Sequence, residues 1–188
     1  MTTVRLMQRL WKGQHFSTLY QEAAQTRPEG SLRAQGALSL PAAATAMALI
    51  RLDELGQAHV PLASTLIREL LRRQEADGGW VDPMTTALCI RALMCSGGDG
   101  VAIERALAYL GQLQKSEGLW PKIPIRRTDG DPFVTAFILL QLGRDERFAA
   151  SVNIPAALAW FSANQLSLDG ETRRLWDQLA RRQALMAA

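Results

Sequence analysis

The sequence is poor in the residues that build disulfide frameworks and metal sites. It has two cysteines and two histidines in 188 residues, and 6% of its residues are aromatic. Cys89 and Cys95 lie in one apolar segment, which favours buried reduced thiols and a reducing compartment, so we expect a cytoplasmic protein. His15 and His59 are far from each other and from both cysteines along the chain. The ligand spacing of a metal site is therefore absent.

Long apolar runs and charge of one sign are also missing. No stretch of about eighteen uncharged apolar residues occurs, so we expect no transmembrane segment. The N-terminal stretch MTTVRLMQRLWKGQ has no apolar core followed by a small-residue cleavage site, and we do not expect a signal peptide. Twenty-one Lys and Arg against eighteen Asp and Glu give a net charge of +3, and the cations are scattered along the chain. We therefore expect no nucleic-acid partner.

Apolar helix formers make up much of the chain. Hydrophobic residues account for 48% of the sequence, Ala and Leu dominate them, and β-branched runs are scarce. This composition predicts an all-α fold with no strand of consequence. A chain of about 150 residues already buries about two-thirds of its unfolded surface. The length therefore predicts a single domain over residues 1–188.

Two segments of the sequence resemble each other at a separation of forty residues. Gln74 begins QEADGGW and Gln114 begins QKSEGLW, so that Trp80 and Trp120 stand six residues after each Gln. A helical apolar pattern precedes each Gln, and an Asp-Pro pair with a second apolar helix follows it. One such unit cannot bury its apolar face alone, so we expect stacked helical hairpins. The strongest repeats span residues 60–96 and 100–143, and weaker ones span residues 14–56 and 153–186.

Local signals predict where the helices begin and end. The side chains predicted as N-caps are Ser39, Asp99 and Asn153. The prolines predicted in first turns are Pro61, Pro83, Pro132 and Pro155. The glycines predicted to end helices are Gly97, Gly98 and Gly143.

The repeated pattern resembles the QW repeat of squalene-hopene cyclases and related triterpene cyclases. It is also similar to the prenyltransferase and squalene-oxidase repeat of protein prenyltransferase β subunits, and the similarity covers about residues 16–182. The resemblance implies a partial or reduced α-α toroid of about four helix pairs. In the family, inner helices line an apolar cavity and the loops at their N-terminal ends carry the chemistry. It also implies a structural role for Gln74, Trp80, Gln114 and Trp120, as packing residues of the repeat.

The residues that perform the known chemistry of this family are replaced. Class II cyclases place their proton donor two residues before the Thr of D-x-D-D-T-A, where this chain has Phe133 before Thr135 and Met84 before Thr86. Protein prenyltransferases bind zinc through an Asp-x-Cys motif, which is absent here. The sequence therefore leaves open whether the protein is an enzyme.

One loop holds the candidate catalytic residues. The stretch PKIPIRRTDGDP contains Arg126, Arg127, Asp129 and Asp131. In a toroid, the two guanidinium groups could bind a diphosphate or carboxylate, while Asp129 or Asp131 held Mg²⁺ or supplied a proton. No other cofactor is indicated. Asp82, the counterpart of Asp131 in the preceding repeat, is a further candidate for ligand binding. The alternative is that Asp131 and Asp82 are both N-caps and that the arginines are solvated.

Apolar residues near these loops are the candidates for the wall of a cavity. They are Met84, Met94, Phe133 and Phe137. Three functions fit the sequence, and it does not choose among them. The protein is an accessory binding protein for an isoprenoid-like ligand or a partner peptide, a diverged enzyme of terpenoid or prenyl chemistry, or a structural subunit whose terminal repeats stack on another chain.

Overall fold

A computed structural model of the chain describes residues 32–125 and 127–187, and the side chains of residues 41–125 and 127–181. This part of the chain is all-α, as predicted. Its helices are α1 (Leu32–Glu54), α2 (Pro61–Arg72), α3 (Pro83–Cys95), α4 (Gly100–Leu113), α5 (Pro132–Leu142), α6 (Glu146–Ser151), α7 (Ile154–Asn164) and α8 (Gly170–Ala187). Two short strands, β1 (Trp120–Pro121) and β2 (Gly130–Asp131), pair antiparallel and close the loop that precedes α5.

Four helices form a row in the middle of the protein. Helix α1 packs on α3, α3 on α5, and α5 on α8, and we call these four helices the central row. Helix α2 packs beside α1, α4 beside α3, and α7 beside α5, while α6 contacts α4. We call α2, α4 and α7 the flanking helices. Along the chain, each flanking helix is followed by a turn and then by the next helix of the central row. The short helix α6 lies between α5 and α7.

The Asp and Pro signals mark the helix starts correctly. The Asp82 carboxylate caps α3 by accepting from the Thr85 N–H at 2.9 Å, and Asp131 caps α5 by accepting from the Val134 N–H at 3.1 Å. The predicted N-caps Asp99 of α4 and Asn153 of α7 are confirmed. The prolines confirmed in the first turn of a helix are Pro61, Pro83, Pro132 and Pro155.

The prediction that Ser39 begins a helix is wrong. Ser39 lies inside α1, which starts at Leu32 and continues through Pro41. Proline in a helix interior removes one backbone hydrogen bond, but the Ala- and Leu-rich residues on both sides of Pro41 have high helix propensity. A Ser two residues before a Pro is therefore not a sufficient start signal where helix formers precede it.

Glycine ends α3 and α5 as predicted. After α3, Gly97 has φ +66°, and the Gly98 N–H donates to the Leu93 carbonyl at 2.7 Å. This bond is that of a Schellman motif, in which a left-handed residue reverses the chain. Gly143 is the C-cap residue of α5, and its N–H donates to the Leu139 carbonyl at 2.8 Å.

The core follows the central row and contains four large aromatic side chains. Trp80, Trp120, Phe148 and Phe161 are fully buried. The rings of Trp120 and Phe148 stack with centroids 6.0 Å apart, and Phe161 stacks on Trp176 at 4.4 Å. Among the described side chains, every buried nitrogen or oxygen atom has a hydrogen-bond partner. The core therefore carries no uncompensated polar group in this part of the chain.

Candidate functional site

The loop between α2 and α3 is tied to both helices. Gln74 Nε2 donates to the Gly78 carbonyl at 2.8 Å and holds the turn. The Trp80 indole N–H reaches back to the Leu70 carbonyl at 2.8 Å, and the Trp80 backbone N–H donates to Thr86 Oγ1 at 2.9 Å. The two hydrogen bonds of Trp80 are buried, so losing either one would leave an unpaired polar group in the core and destabilise the loop.

The loop between α4 and α5 repeats this arrangement. Gln114 Nε2 donates to the Gly118 carbonyl at 2.9 Å. The Trp120 indole N–H donates to the Leu110 carbonyl at 2.8 Å, and its backbone N–H donates to Thr135 Oγ1 at 2.9 Å. Two sequences forty residues apart thus form the same hydrogen bonds. The two loops are structural equivalents, although the second contains an insertion before its central helix.

Each loop is also joined to the next flanking helix. Gln74 Nε2 donates to the Ala102 carbonyl of α4 at 2.8 Å. Gln114 exchanges two hydrogen bonds with the backbone of Asn153, the N-cap of α7: Asn153 N–H to Oε1 at 2.7 Å and Nε2 to the Asn153 carbonyl at 3.1 Å. The Gln therefore links one hairpin to its neighbour as well as closing its own loop.

Glycine allows this close approach. A Cβ on Gly78, which has φ +95°, would lie 2.5 Å from the Arg105 carbonyl oxygen of α4. A Cβ on Gly118, with φ +88°, would collide with the backbone of Ala157 on α7. Both positions require glycine for backbone conformation and for space.

The candidate acids do not converge on a reaction centre. Asp131 and Asp82 are half-buried N-caps, and Asp82 Oδ2 also accepts from the Thr85 hydroxyl at 2.6 Å. Asp129 is exposed in the loop between β1 and β2. Within the described residues, no group of three or more His, Cys, Asp or Glu side chains could hold a metal ion.

The other candidate residues of the same region differ in how far they are exposed to solvent. Arg127 is exposed, and Arg126 lies outside the described residues. Met84 and Phe133 are half-buried, each two residues before the Thr of its helix, whereas Phe137 is buried at 5% exposure. The structure therefore places Met84 and Phe133 at equivalent positions of α3 and α5, near the surface of the central row.

An arginine on the surface of the central row was not predicted from the sequence. Arg91 of α3 donates to Gln141 Oε1 of α5 at 2.5 Å, and its other guanidinium nitrogen lies 3.9 Å from Glu54 Oε1 of α1. Arg91 stands seven residues after Met84, which places both on one side of α3. The contact shows that α1, α3 and α5 present a common surface. The half-buried apolar side chains of these three helices include Met47, Met84, Met94, Phe133 and Leu140.

Neither cysteine has the character of a nucleophile. Burial raises the pKa of Cys89 well above its usual value, and the nearby Asp82 charge adds to the effect. Burial also raises the pKa of Cys95, where Asp53 adds to the effect and Arg91 opposes it. A thiol rather than a thiolate is the stable form of both, so nucleophilic cysteine chemistry is not supported.

Tyr109 of α4 packs against the loop that begins at Gln74, near several acidic groups. Its ring lies against Gly79, where an added Cβ would be 2.6 Å from the ring. Burial raises the pKa of the Tyr109 hydroxyl, and the charges of Asp77, Asp82 and Glu75 raise it further. The phenol therefore remains protonated, which makes Tyr109 a packing residue of the loop rather than a base.

Comparison of the chain with known protein families, with curated proteins and with solved structures gives no match. Among the described helices, none combines the length and the apolar character needed to span a bilayer. A functional proposal for this protein therefore rests on its own residues and their geometry.

Proposed function

We propose that the protein is a non-catalytic binding protein that holds an apolar, isoprenoid-like ligand on the exposed surface of its central row. We also propose that its hairpins form a reduced α-α toroid related to the QW-repeat proteins. The matched hydrogen bonds of the two Gln-Gly-Trp loops support the internal repeat on which the second proposal rests, because unrelated helical hairpins have no reason to share them.

The observation that carries the binding proposal is the composition of that surface. Met84 and Met94 of α3 and Phe133 of the neighbouring helix α5 all remain partly accessible. Methionine side chains are flexible and polarizable, so such a surface adapts to a chain-like apolar ligand. Arg91 of α3 also lies on this surface, where it contacts Gln141 and Glu54, and it offers one charged anchor for an anionic or polar end of the ligand.

The positions of the carboxylates favour binding over catalysis. A proton donor for cyclisation has to be neutral and aimed at the substrate, whereas Asp131 directs Oδ1 at the Val134 amide. Asp82 is held in the same way by Thr85. Asp129 is exposed in the loop between β1 and β2, and the described residues do not enclose it in a cavity that would hold a substrate against it.

Native mass spectrometry of the protein purified from its own host tests this proposal. We expect an adduct with the mass of a lipid-sized apolar molecule, which disappears on denaturation. The double variant Met84→Ser with Phe133→Ser should lose the adduct, because two apolar contacts become polar. Val101→Ser is the matched control: Val101 is 67% exposed on α4, away from the central row, and should retain the adduct.

Other outcomes of this measurement would replace the proposal. An adduct that survives in the double variant would mean that the ligand binds elsewhere. A ligand-free chain bound in fixed ratio to another protein would make the chain a structural subunit or a peptide-binding protein. Conversion of the bound molecule, abolished by Asp129→Asn, would make the protein an enzyme.

A further inference from the structure

Both described Gln-Gly loops dock on the flanking helix that follows them. The loop from Gln74 contacts α4 through the Ala102 carbonyl and through Gly78 against Arg105. The loop from Gln114 contacts α7 through Asn153. This contact covers one side of each helix. A flanking helix in this fold therefore has a face shaped to receive the loop of the preceding hairpin.

Helix α2 has the same face, and it is less covered. With Gln74 aligned to Gln114, Leu62 corresponds to Ala102 and Leu66 to Ala106. Leu62 is 47% exposed where Ala102 is 5% exposed, and Leu66 is half-buried where Ala106 is fully buried. Ile67 is likewise half-buried, whereas the corresponding residue of α4, Leu107, is buried. We call Leu62 and Leu66 the α2 face.

We propose that residues 1–31 of this chain dock on the α2 face. The loop that precedes α2 in the repeat contains Gln25 and Gly30, which lie outside the described residues. Its position relative to α2 is that of Gln74 relative to α4, one hairpin earlier. The order of the repeats therefore identifies residues 1–31 as the segment that docks on the α2 face. Their contact with α2 would complete the first hairpin.

The chain can reach this surface. Helix α1 begins at Leu32 and packs beside α2, and its 23 residues are about 34 Å long. The 31 preceding residues span up to about 100 Å when extended, which is enough to return along α1 and to reach Leu62. No second molecule is needed to supply the occupant.

A second copy of the chain is a poorer occupant. The part of a second copy that would dock on the α2 face is the loop of its last repeat, which contains Gln165 and Leu166. In that loop, Arg173 of the same chain already donates to the Gln165 carbonyl at 3.1 Å and to the Leu166 carbonyl at 3.3 Å. At an internal junction the loop carbonyls of Glu75 and Ala76 accept instead from Arg105 of the next flanking helix. The last loop is thus closed by its own hairpin.

Site-specific photocrosslinking in the full chain tests this docking. A benzophenone amino acid replaces Leu62, and the crosslinked peptides are identified by mass spectrometry. We expect intramolecular crosslinks to residues 1–31. The same probe at Val101, which is 67% exposed on α4 in the next hairpin, is the matched control and should give no such crosslinks. Crosslinks to a second copy, or a yield no higher than at Val101, would overturn the proposal.

Hydrogen exchange supplies a second readout that does not depend on the probe. Leu62→Asp should increase exchange in peptides from residues 1–31 by about tenfold or more, because the apolar contact that orders them is lost. Val101→Asp should leave those peptides unchanged. Equal exchange in both variants, with the helical content preserved, would show that the segment does not use the α2 face.

Discussion

At the scale of single residues, two threonines connect the central helices to the loops. Thr86 Oγ1 accepts from the Trp80 N–H and Thr135 Oγ1 from the Trp120 N–H, and both threonines are fully buried. Thr86→Val or Thr135→Val leaves a buried N–H without an acceptor. We expect each to lower the free energy of unfolding by about 1–3 kcal/mol in urea denaturation.

The control for this prediction is a threonine on the surface. Thr65 is exposed and donates to the Pro61 carbonyl at 3.3 Å. Thr65→Val should change the free energy of unfolding by less than about 0.5 kcal/mol. Similar losses at all three positions would mean that valine itself, rather than the orphaned amide, is responsible.

Asp169 provides a pH-dependent contribution at the start of α8. The Thr172 hydroxyl and the Thr172 amide donate to its carboxylate and lower its pKa below the usual value near 3.8. A lowered folded-state pKa means that the contribution is present above the unfolded-state pKa and is lost as the pH falls through the folded one. Urea midpoints should therefore fall less in Asp169→Asn than in the unchanged protein between about pH 5 and pH 3. Parallel midpoint curves would contradict this assignment.

At the scale of elements, the junction between hairpins depends on glycine. Gly78 and Gly118 have positive φ and also lie against the backbone of the next flanking helix. Gly56 has φ +67° but nothing within 4 Å of its Cβ position. Gly56→Ala should cost about 1 kcal/mol of unfolding free energy from conformation alone. Gly78→Ala and Gly118→Ala should each cost at least about 2 kcal/mol more, because a helix has to move.

Urea denaturation of the three alanine variants measures this difference. Equal losses in all of them would mean that the docked loops yield without strain, and that the junction is less rigid than its hydrogen bonds indicate. The comparison is informative because all three replacements add one methyl group at a left-handed residue.

The helix starts at the Asp-Pro pairs could be predicted because capping is local chemistry. Asp82 and Asp131 satisfy amides only three residues away, and the prolines that follow fit the first turn. Helix α6 was not predicted. It has six residues, which are too few for an apolar period, although the Asp145 carboxylate caps it through the Phe148 N–H at 3.0 Å.

The surface of the central row depends on distant pairings. Arg91 and Gln141 are fifty residues apart, and their contact exists because α3 packs on α5. The sequence predicted Met84 and Phe133 as candidates from their place in the repeat, and the structure puts them in equivalent half-buried positions. Their role in binding stays a prediction. No local pattern distinguishes Arg91 from the other arginines of the chain.

At the scale of the whole molecule, the core is continuous from α1 to α8. It runs from Ala42 to Leu179 through the buried faces of the central row. Hairpins that share one core unfold together when the array is short. We expect tryptophan fluorescence and far-UV circular dichroism to report the same urea midpoint, and Gly78→Ala to shift both by the same amount. Two separate transitions would show that the hairpins are only weakly coupled.

The equivalence of the Gln74 and Gln114 loops has a consequence for protein engineering. Each loop ends one hairpin and seats the next, so the forty residues that begin at Gln74 carry both halves of a joint. If residues 74–113 were inserted a second time after Leu113, the added loop and the added flanking helix would each meet a partner surface of the kind that they already contact in this chain. The chain thus offers a modular unit from which longer arrays could be assembled.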